Sequence, residues 1–271
     1  MMTFETSGGI FVCPICKQSL LRREKSLVCD NRHTFDIAKE GHVNLLRTAG
    51  SLHGDNKQMV AARRAFLEKG YYAHLKETLH QTVARYLNQG NLLDSGCGEG
   101  YYTEGLIQNT NLSVYGIDIS SRATALAAKK PNIRGVAVAS AYDLPIMTGS
   151  CQAITNIFSP FCREEFERIL VSGGYLFNVI PAEYHLWELK AAVYDTPYEN
   201  KLNPLETEGF RFVEKIPIEK TIHLQTQDDV AQLMMMTPYF YRTSREGHAR
   251  AEQLTNIDVR ASFYLLVYQK L

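Results

Sequence analysis

Residues 92–102 read Leu-Leu-Asp-Ser-Gly-Cys-Gly-Glu-Gly-Tyr-Tyr, and their order decides the fold. Two apolar residues run into Asp94, and glycines stand at 96, 98 and 100 ahead of an amphipathic stretch. This is the pattern of a buried strand, a tight glycine turn and a helix start. Glycine has no Cβ, so a ligand can approach the backbone of such a turn closely. A nucleotide fold places its ligand outside the carboxyl end of the strand, beside this turn. Taken alone, a glycine-rich turn is as readily a plain structural loop.

The spacing narrows the ligand. A dinucleotide fingerprint, Gly-x-Gly-x-x-Gly, begun at Gly96 needs glycine at 101, where Tyr101 stands. The Gly-Lys-Ser/Thr end of a phosphate-cradling loop is missing as well. What stands there is Asp-x-Gly-x-Gly-x-Gly, formed by Asp94, Gly96, Gly98 and Gly100. It resembles the first motif of class I S-adenosylmethionine (SAM) methyltransferases. That resemblance implies an α/β, Rossmann-like fold with a mostly parallel seven-stranded sheet. It also implies a loop close to the methionine part of SAM, with a carboxylate near the ammonium group. Val114-Tyr115-Gly116-Ile117-Asp118 looks like a second strand ending in an acid. By the same resemblance, Asp118 accepts hydrogen bonds from the ribose hydroxyls.

Outward from the glycine turn, apolar periodicity places strands near 91–94, 113–118, 135–139, 153–158 and 174–180. Helices fall between them at 101–109, 121–130, 163–170 and 183–194. Such alternation means a mostly parallel sheet covered on both faces. Two helices precede it, 57–70 and about 73–87, and the apolar run Arg260–Tyr268 reads as a last strand. The stretch Met234–Tyr241 is either part of a substrate wall or helix-end core.

At 271 residues the chain has room for a full α/β domain and a small extra module. Its 45% hydrophobic and 21% charged content is that of an ordinary soluble protein. No apolar run approaches the ~20 residues that span a bilayer, and the start Met-Met-Thr-Phe-Glu-Thr is unlike a signal peptide. A cytoplasmic protein without a membrane partner is expected. The net charge of zero hides an asymmetry: residues 1–76 carry 12 Lys/Arg against 7 Asp/Glu, and residues 77–271 carry 17 against 22. A basic front end on an acidic body suits a polyanion, although a solvated basic face would look the same.

Reduced cysteines that cluster more often bind metal than form disulfides. Cys13-Pro14-Ile15-Cys16, then Cys29 and His33, give Cys-x2-Cys-x12-Cys-x3-His. The first pair follows a short apolar run, and Ser26-Leu27-Val28 supplies a returning strand between the pairs. The spacing suits tetrahedral zinc, and a full set of four ligands argues for a structural site. So short a segment has too little core to fold unaided, so the metal supplies much of its stability. Unliganded buried cysteines are the plain alternative. Cys97, Cys151 and Cys162 stand singly and read as small core residues. The expected division is a zinc-binding domain over 1–48, a linker and covering helices over 49–88, and the methyltransferase domain over 89–271.

The match then becomes closer than a superfamily. The Cys-x2-Cys pair, Phe35–Leu46, Ala62-Arg63-Arg64-Ala65-Phe66-Leu67 and Gly96–Thr103 occur in one order. Together they resemble the bacterial 23S ribosomal RNA guanine-N1 methyltransferases that carry an N-terminal zinc domain, over essentially the whole chain. The resemblance implies methyl transfer from SAM to N1 of a guanine in a 23S RNA hairpin near the peptide exit tunnel. One branch of that family confers macrolide resistance, and the sequence does not assign the branch. Residue by residue, Cys13, Cys16, Cys29 and His33 match the zinc ligands. Tyr72, Gly98, Glu99 and His185 match positions lining the cofactor pocket, so the helix after Tyr72 would cover it. A surface histidine at a helix start is the plain reading of His185.

The fourth strand ends in Asn156-Ile157-Phe158-Ser159-Pro160-Phe161, where related enzymes hold the target base. Phe158, Pro160 and Phe161 would line that site, with the rings stacking on an unstacked guanine or simply packing in the core. Arg63 and Arg64 would meet RNA phosphates together with the zinc module. Guanine N1 carries a proton near neutral pH, so a base or an enolate-stabilising contact is needed. No residue declares itself: Asp143, Glu164 and His185 are candidates by location only. A module of roughly 50 residues on a linker also leaves room for a homodimer that completes an RNA cleft. Two rivals are a methyltransferase of a small metabolite, and a non-catalytic RNA-binding protein with a vestigial cofactor site.

Overall fold

A computed structural model describes residues 4, 7–47, 56–107 and 111–271. The expected linker falls mostly outside the described residues. Its last member, Asn56, caps the next helix by accepting from the backbone N–H groups of Gln58 and Met59.

The chain opens with four short strands, β1 (Ser7–Val12), β2 (Ser19–Arg23), β3 (Ser26–Val28) and β4 (Thr34–Asp36). They pair in that order as an antiparallel ribbon. β5 (Val43–Asn44) follows, then α1 (Lys57–Glu68) and α2 (Ala73–Tyr86). Next come β6 (Gln89–Ser95), β7 (Asn111–Asp118), α3 (Ser121–Ala127), β8 (Gly135–Val138) and β9 (Cys151–Ile157). The chain continues through α4 (Arg163–Ile169), β10 (Leu170–Pro181), α5 (Trp187–Val193) and β11 (Phe210–Leu224). It ends with α6 (Gln227–Met235), α7 (Tyr239–Arg242), α8 (Arg245–Ala251) and β12 (Ile257–Lys270).

Among the described residues the main sheet has eight strands in the order β11-β12-β10-β9-β6-β7-β8-β5. From β10 to β5 every pairing is parallel, and β12 runs antiparallel to both its neighbours. The mostly parallel class I sheet is therefore present, with eight strands where seven were expected. The extra one is β5, which comes from the zinc-binding end of the chain and pairs Val43 with Ala137. The chain winds from β6 through β7 to β8 on one side and from β9 to β10 on the other. The switch point lies between β6 and β9, and it opens at their carboxyl ends.

The ribbon is fused to this sheet by packing as well as pairing. β1 lies against the segment after β8, with Val12 N–H donating to Pro145 and Met147 N–H donating to Ile10. Phe4 and Phe11 are buried and stack at 5.7 Å. Phe11 meets Tyr115 of β7 edge-on at 5.9 Å. A Cβ on Gly135 would lie 2.7 Å from the Phe4 ring, so β8 begins with glycine where the rings press on it. Each fully buried Phe or Leu in this seam contributes on the order of 1.5–3 kcal/mol.

The helix expected over 101–109 is a 3-10 turn at Thr103–Ile107 instead, and residues 108–110 lie outside the described set. Gly105 sits directly against the His80 ring of α2, whose Nε2 bonds to the Tyr102 carbonyl at 2.9 Å. The tighter coil makes room for that ring. The stretch Met234–Tyr241 is helix-end core at Met234 and Tyr239, both buried, while Tyr241 is exposed and bonds Met59 on α1.

Candidate cofactor and target site

The site is built at the end of β6. Burial pushes the Asp94 carboxyl up to about 6, although hydrogen bonds from Thr103 and Thr155 pull it down. Thr103 donates to one oxygen at 2.5 Å and Thr155 to the other at 2.9 Å. Asp94 thus ties β6, the 3-10 turn that follows the glycines and β9 together, with each oxygen engaged by a protein hydroxyl.

The turn itself is held from β7. Gly96 and Cys97 donate their N–H groups to the Ile117 carbonyl at 2.9 and 2.8 Å. Gly98 N–H donates to Asp118 Oδ2 at 3.0 Å, and Ser120 N–H donates to Oδ1 at 2.8 Å. Asp118 therefore stands beside Gly98 at the mouth of the switch point, as expected from the sequence. The glycines differ in what surrounds them. A Cβ on Gly96, at φ +81°, would lie 2.5 Å from the Ser159 Cβ; one on Gly98, at φ +54°, would meet nothing within 4 Å. The space over Gly98 is open, so a ligand can approach the backbone there closely. Gly100 N–H closes the turn on Cys97, and Glu99 is buried beside it. Cys97 is itself buried against Gly116, and burial raises its thiol pKa well above the usual range, which makes it a core residue.

Tyr72 and His185 come together, although they lie far apart in the chain. Tyr72 is buried at the start of α2 with its ring 5.2 Å from Phe66, 6.3 Å from His185 and 5.0 Å from Phe263. Its hydroxyl is buried without a hydrogen-bond partner. His185 is buried rather than on the surface, and its Nδ1 accepts from Ser262 N–H at 3.2 Å. Burial, helped by the Lys190 charge, pushes its pKa down to about 3. It is a neutral imidazole at physiological pH, a weak base and no acid.

Phe263 of β12 joins the set: its ring lies 4.5 Å from His185 and 5.4 Å from Phe158. The sequence hid it inside an apolar strand run. Phe158 is 46% exposed and left-handed at φ +54°, so the ring is turned out at the end of β9 at a backbone cost. Phe161 instead packs on Phe166 at 5.6 Å and Tyr268 at 6.3 Å, and Pro160 is exposed between them. The two phenylalanines have different ring partners, so only Phe158 joins the aromatic set beside the cofactor loop. Asn156 holds their turn, donating to the Ser159 carbonyl at 3.1 Å and to Asn178 Oδ1 at 2.9 Å.

The three candidate bases are poorly placed for that work. Asp143 is ion-paired with Lys17 at 2.9 Å and Arg47 at 3.7 Å. Glu164 is exposed beside Arg163, and the backbone at the start of α4 lowers its pKa further. His185 is held neutral, as above. Of the two arginines, Arg63 acts on the buried Tyr102 hydroxyl through its charge, while Arg64 is exposed and pairs with Glu68 at 2.7 Å.

The ligand atoms of Cys13, Cys16, Cys29 and His33 all lie within 4.8 Å of one another. The Cys13 and Cys29 sulfurs each stand 3.4 Å from His33 Nδ1, and the Cys16 and Cys29 sulfurs 3.5 Å apart. A tetrahedron with zinc about 2.3 Å from each sulfur has edges of about 3.7 Å, so three thiolates and one imidazole fit zinc with no position left for water. Two tight turns aim these side chains: Lys17 N–H donates to Cys13 O at 2.8 Å and Arg32 N–H to Cys29 O at 2.9 Å.

Comparison with known proteins agrees with both centres. Residues 11–48 match the zinc-ribbon family model described as RlmA, N-terminal, and residues 93–178 match a methyltransferase domain model. A 23S rRNA (guanine(748)-N(1))-methyltransferase of Streptomyces fradiae is 37% identical over 67% of this chain and 66% of its own length. A provisionally named 23S rRNA (guanine-N1)-methyltransferase of Micromonospora griseorubida is 31% identical over 65% of this chain and 67% of its own length. A third relative, the provisionally named YxjB of Bacillus subtilis, is 27% identical over 97% of this chain and 98% of its own.

Proposed function

The chain belongs to the family of 23S rRNA (guanine-N1)-methyltransferases, and from that premise we propose that it methylates N1 of a guanine in 23S ribosomal RNA. Its cofactors are SAM and a structural zinc ion. The observation that carries the reading is the open space over Gly98, bounded by Asp118 and buried Glu99 and continuous in sequence with a turn locked by Asp94. SAM supplies an activated methyl group with a neutral thioether leaving group.

In this reading the protein's own residues bind and orient. Gly96, Gly98, Glu99 and Gly100 form the floor, Asp94 fixes it, and Asp118 faces the ribose. Tyr72 and His185 close the cover side, and the Tyr72 hydroxyl is the polar group still wanting a partner. Phe158 offers the target guanine a stacking face. Transfer breaks the sulfur–methyl bond, forms the N1–methyl bond and releases the N1 proton. Positioning of two held reactants supplies most of the rate. None of Asp143, Glu164 and His185 is poised as a base, so we place the proton's release in water at the exposed edge beside Phe158. Residues 1–48 select the RNA, 49–88 cover the cofactor and 89–271 transfer the methyl group. We take the target to be a hairpin near the peptide exit tunnel, as the sequence resemblance implies.

The test is transfer of a labelled methyl group from SAM to deproteinised 23S RNA from a strain lacking the modification. Label in the RNA is expected. Label that appears only in small metabolites, or SAM binding that cannot be detected by calorimetry, would sink the reading.

A further inference from the structure

A cleft of about 670 Å3 runs between α1, α3 and the turn before β5, and neither the zinc ligands nor Phe158 lines it. Its walls carry Lys57 and Arg64 on α1, and Arg122 and Lys129 on and just past α3. Lys57 and Arg64 are seven residues apart on α1, so their backbone positions stand about 10 Å apart along it, and Lys129 follows the end of α3. Lys57, Arg122 and Lys129 are exposed and, among the described residues, lie in no ion pair. One carboxylate, Glu40, opposes the four cations in the lining.

A second observation points to a ligand. His42 lines the same cleft, is 8% exposed, and its Nδ1 is buried without a hydrogen-bond partner. His42 is thus a buried, unpartnered polar side chain in the lining of the cleft. The cleft also continues toward the cofactor loop. A smaller cavity of about 200 Å3 shares Arg64, Leu126 and Lys129 with it and reaches Glu99 and Tyr101.

We infer that this cleft holds the sugar–phosphate backbone of the RNA substrate, with Lys57, Arg122 and Lys129 contacting phosphates and His42 a polar group of the same strand. The inference rests on the RNA reading above. Cations spread along two facing helices match an extended polyanion better than a lone anion. SAM carries a sulfonium and an ammonium and no phosphate, so a cationic wall does not favour it as the occupant. RNA lying here would press on α1, whose Leu67 also lines the cavity beside the cofactor loop.

The experiment uses the full-length, zinc-loaded protein and deproteinised 23S RNA across a salt series, with SAM affinity measured in parallel by calorimetry. For the triple variant Lys57→Gln/Arg122→Gln/Lys129→Gln, the slope of log affinity against log salt should fall by about 2–3 and RNA affinity by about tenfold or more. SAM affinity should stay within about twofold. The charge-keeping variant Lys57→Arg/Arg122→Lys/Lys129→Arg should keep most of the wild-type slope. An unchanged slope in the first variant overturns the inference while wild-type methylation still supports the function. A parallel loss of SAM affinity overturns it too, by making the cleft a cofactor route. If wild type neither binds nor methylates the RNA, the function falls and the cleft assignment with it.

Discussion

His185 carries a built-in pH signature. Its imidazole is held at about 3 in the folded chain against 6.5 when free, so between those values unfolding takes up a proton. The stability it contributes is full above 6.5 and is lost, by about 1.4 kcal/mol per pH unit, as pH falls. Asp94 works the other way. Held at about 6 against 3.8 when free, it favours the folded state as pH falls through that window. Between about pH 6 and 4 the two slopes oppose each other. His185→Asn should therefore gain stability relative to wild type as pH falls from 6 to 4, read from urea midpoints at each pH. Parallel curves would mean that the imidazole is not held neutral. The glycines make a second residue-scale pair. Gly98→Ala adds a methyl to open space at a left-handed φ, costing about 1 kcal/mol of stability while weakening SAM binding at least severalfold. Gly96→Ala drives its methyl into Ser159 and should lower the thermal midpoint much more. Equal effects of the two on folding and on SAM affinity would contradict this difference between a packed and an open glycine.

At the scale of elements, the ribbon shares hydrogen bonds with the segment that follows β8. Lys17 directly follows Cys16 and reaches Asp143, while Val12 and Met147 stitch β1 onto the segment that leaves β8. Cys29→Ser should thus release zinc and weaken both RNA and SAM binding, with SAM lost by severalfold; calorimetry that finds SAM affinity untouched would show that β1 holds its place without metal. The strands from β6 to β10 were legible because each is an apolar run bounded by turn residues. β11 was not assigned from the sequence, although Phe210–Leu224 alternates apolar and polar residues. Pro217 within it argues against a central strand, and it is in fact the edge, bulged between Phe212 and Glu214. The 3-10 turn was not legible either, since only the packing of Gly105 on His80 demands it.

For the whole molecule, local signals located the cofactor end more fully than the target end. Gly96, Gly98 and Asp118 are near neighbours across one strand pair, so spacing alone reveals them. Tyr72, His185 and Phe263 meet only after some 190 residues have folded between the first and last, and no local pattern records that meeting. The catalytic base was not legible, and the structure offers none among Asp143, Glu164 and His185. Among the described residues, no helix is long and apolar enough to cross a membrane. β5, which directly follows the ribbon, joins the main sheet, so the two centres sit on one framework rather than on separate bodies. The most direct measurement is primer extension on 23S RNA from a strain lacking the modification, before and after treatment with this protein and SAM. Methylation at N1 blocks Watson–Crick pairing, so the account predicts one new strong stop next to a single guanine. Methyl incorporation without any such stop would contradict it.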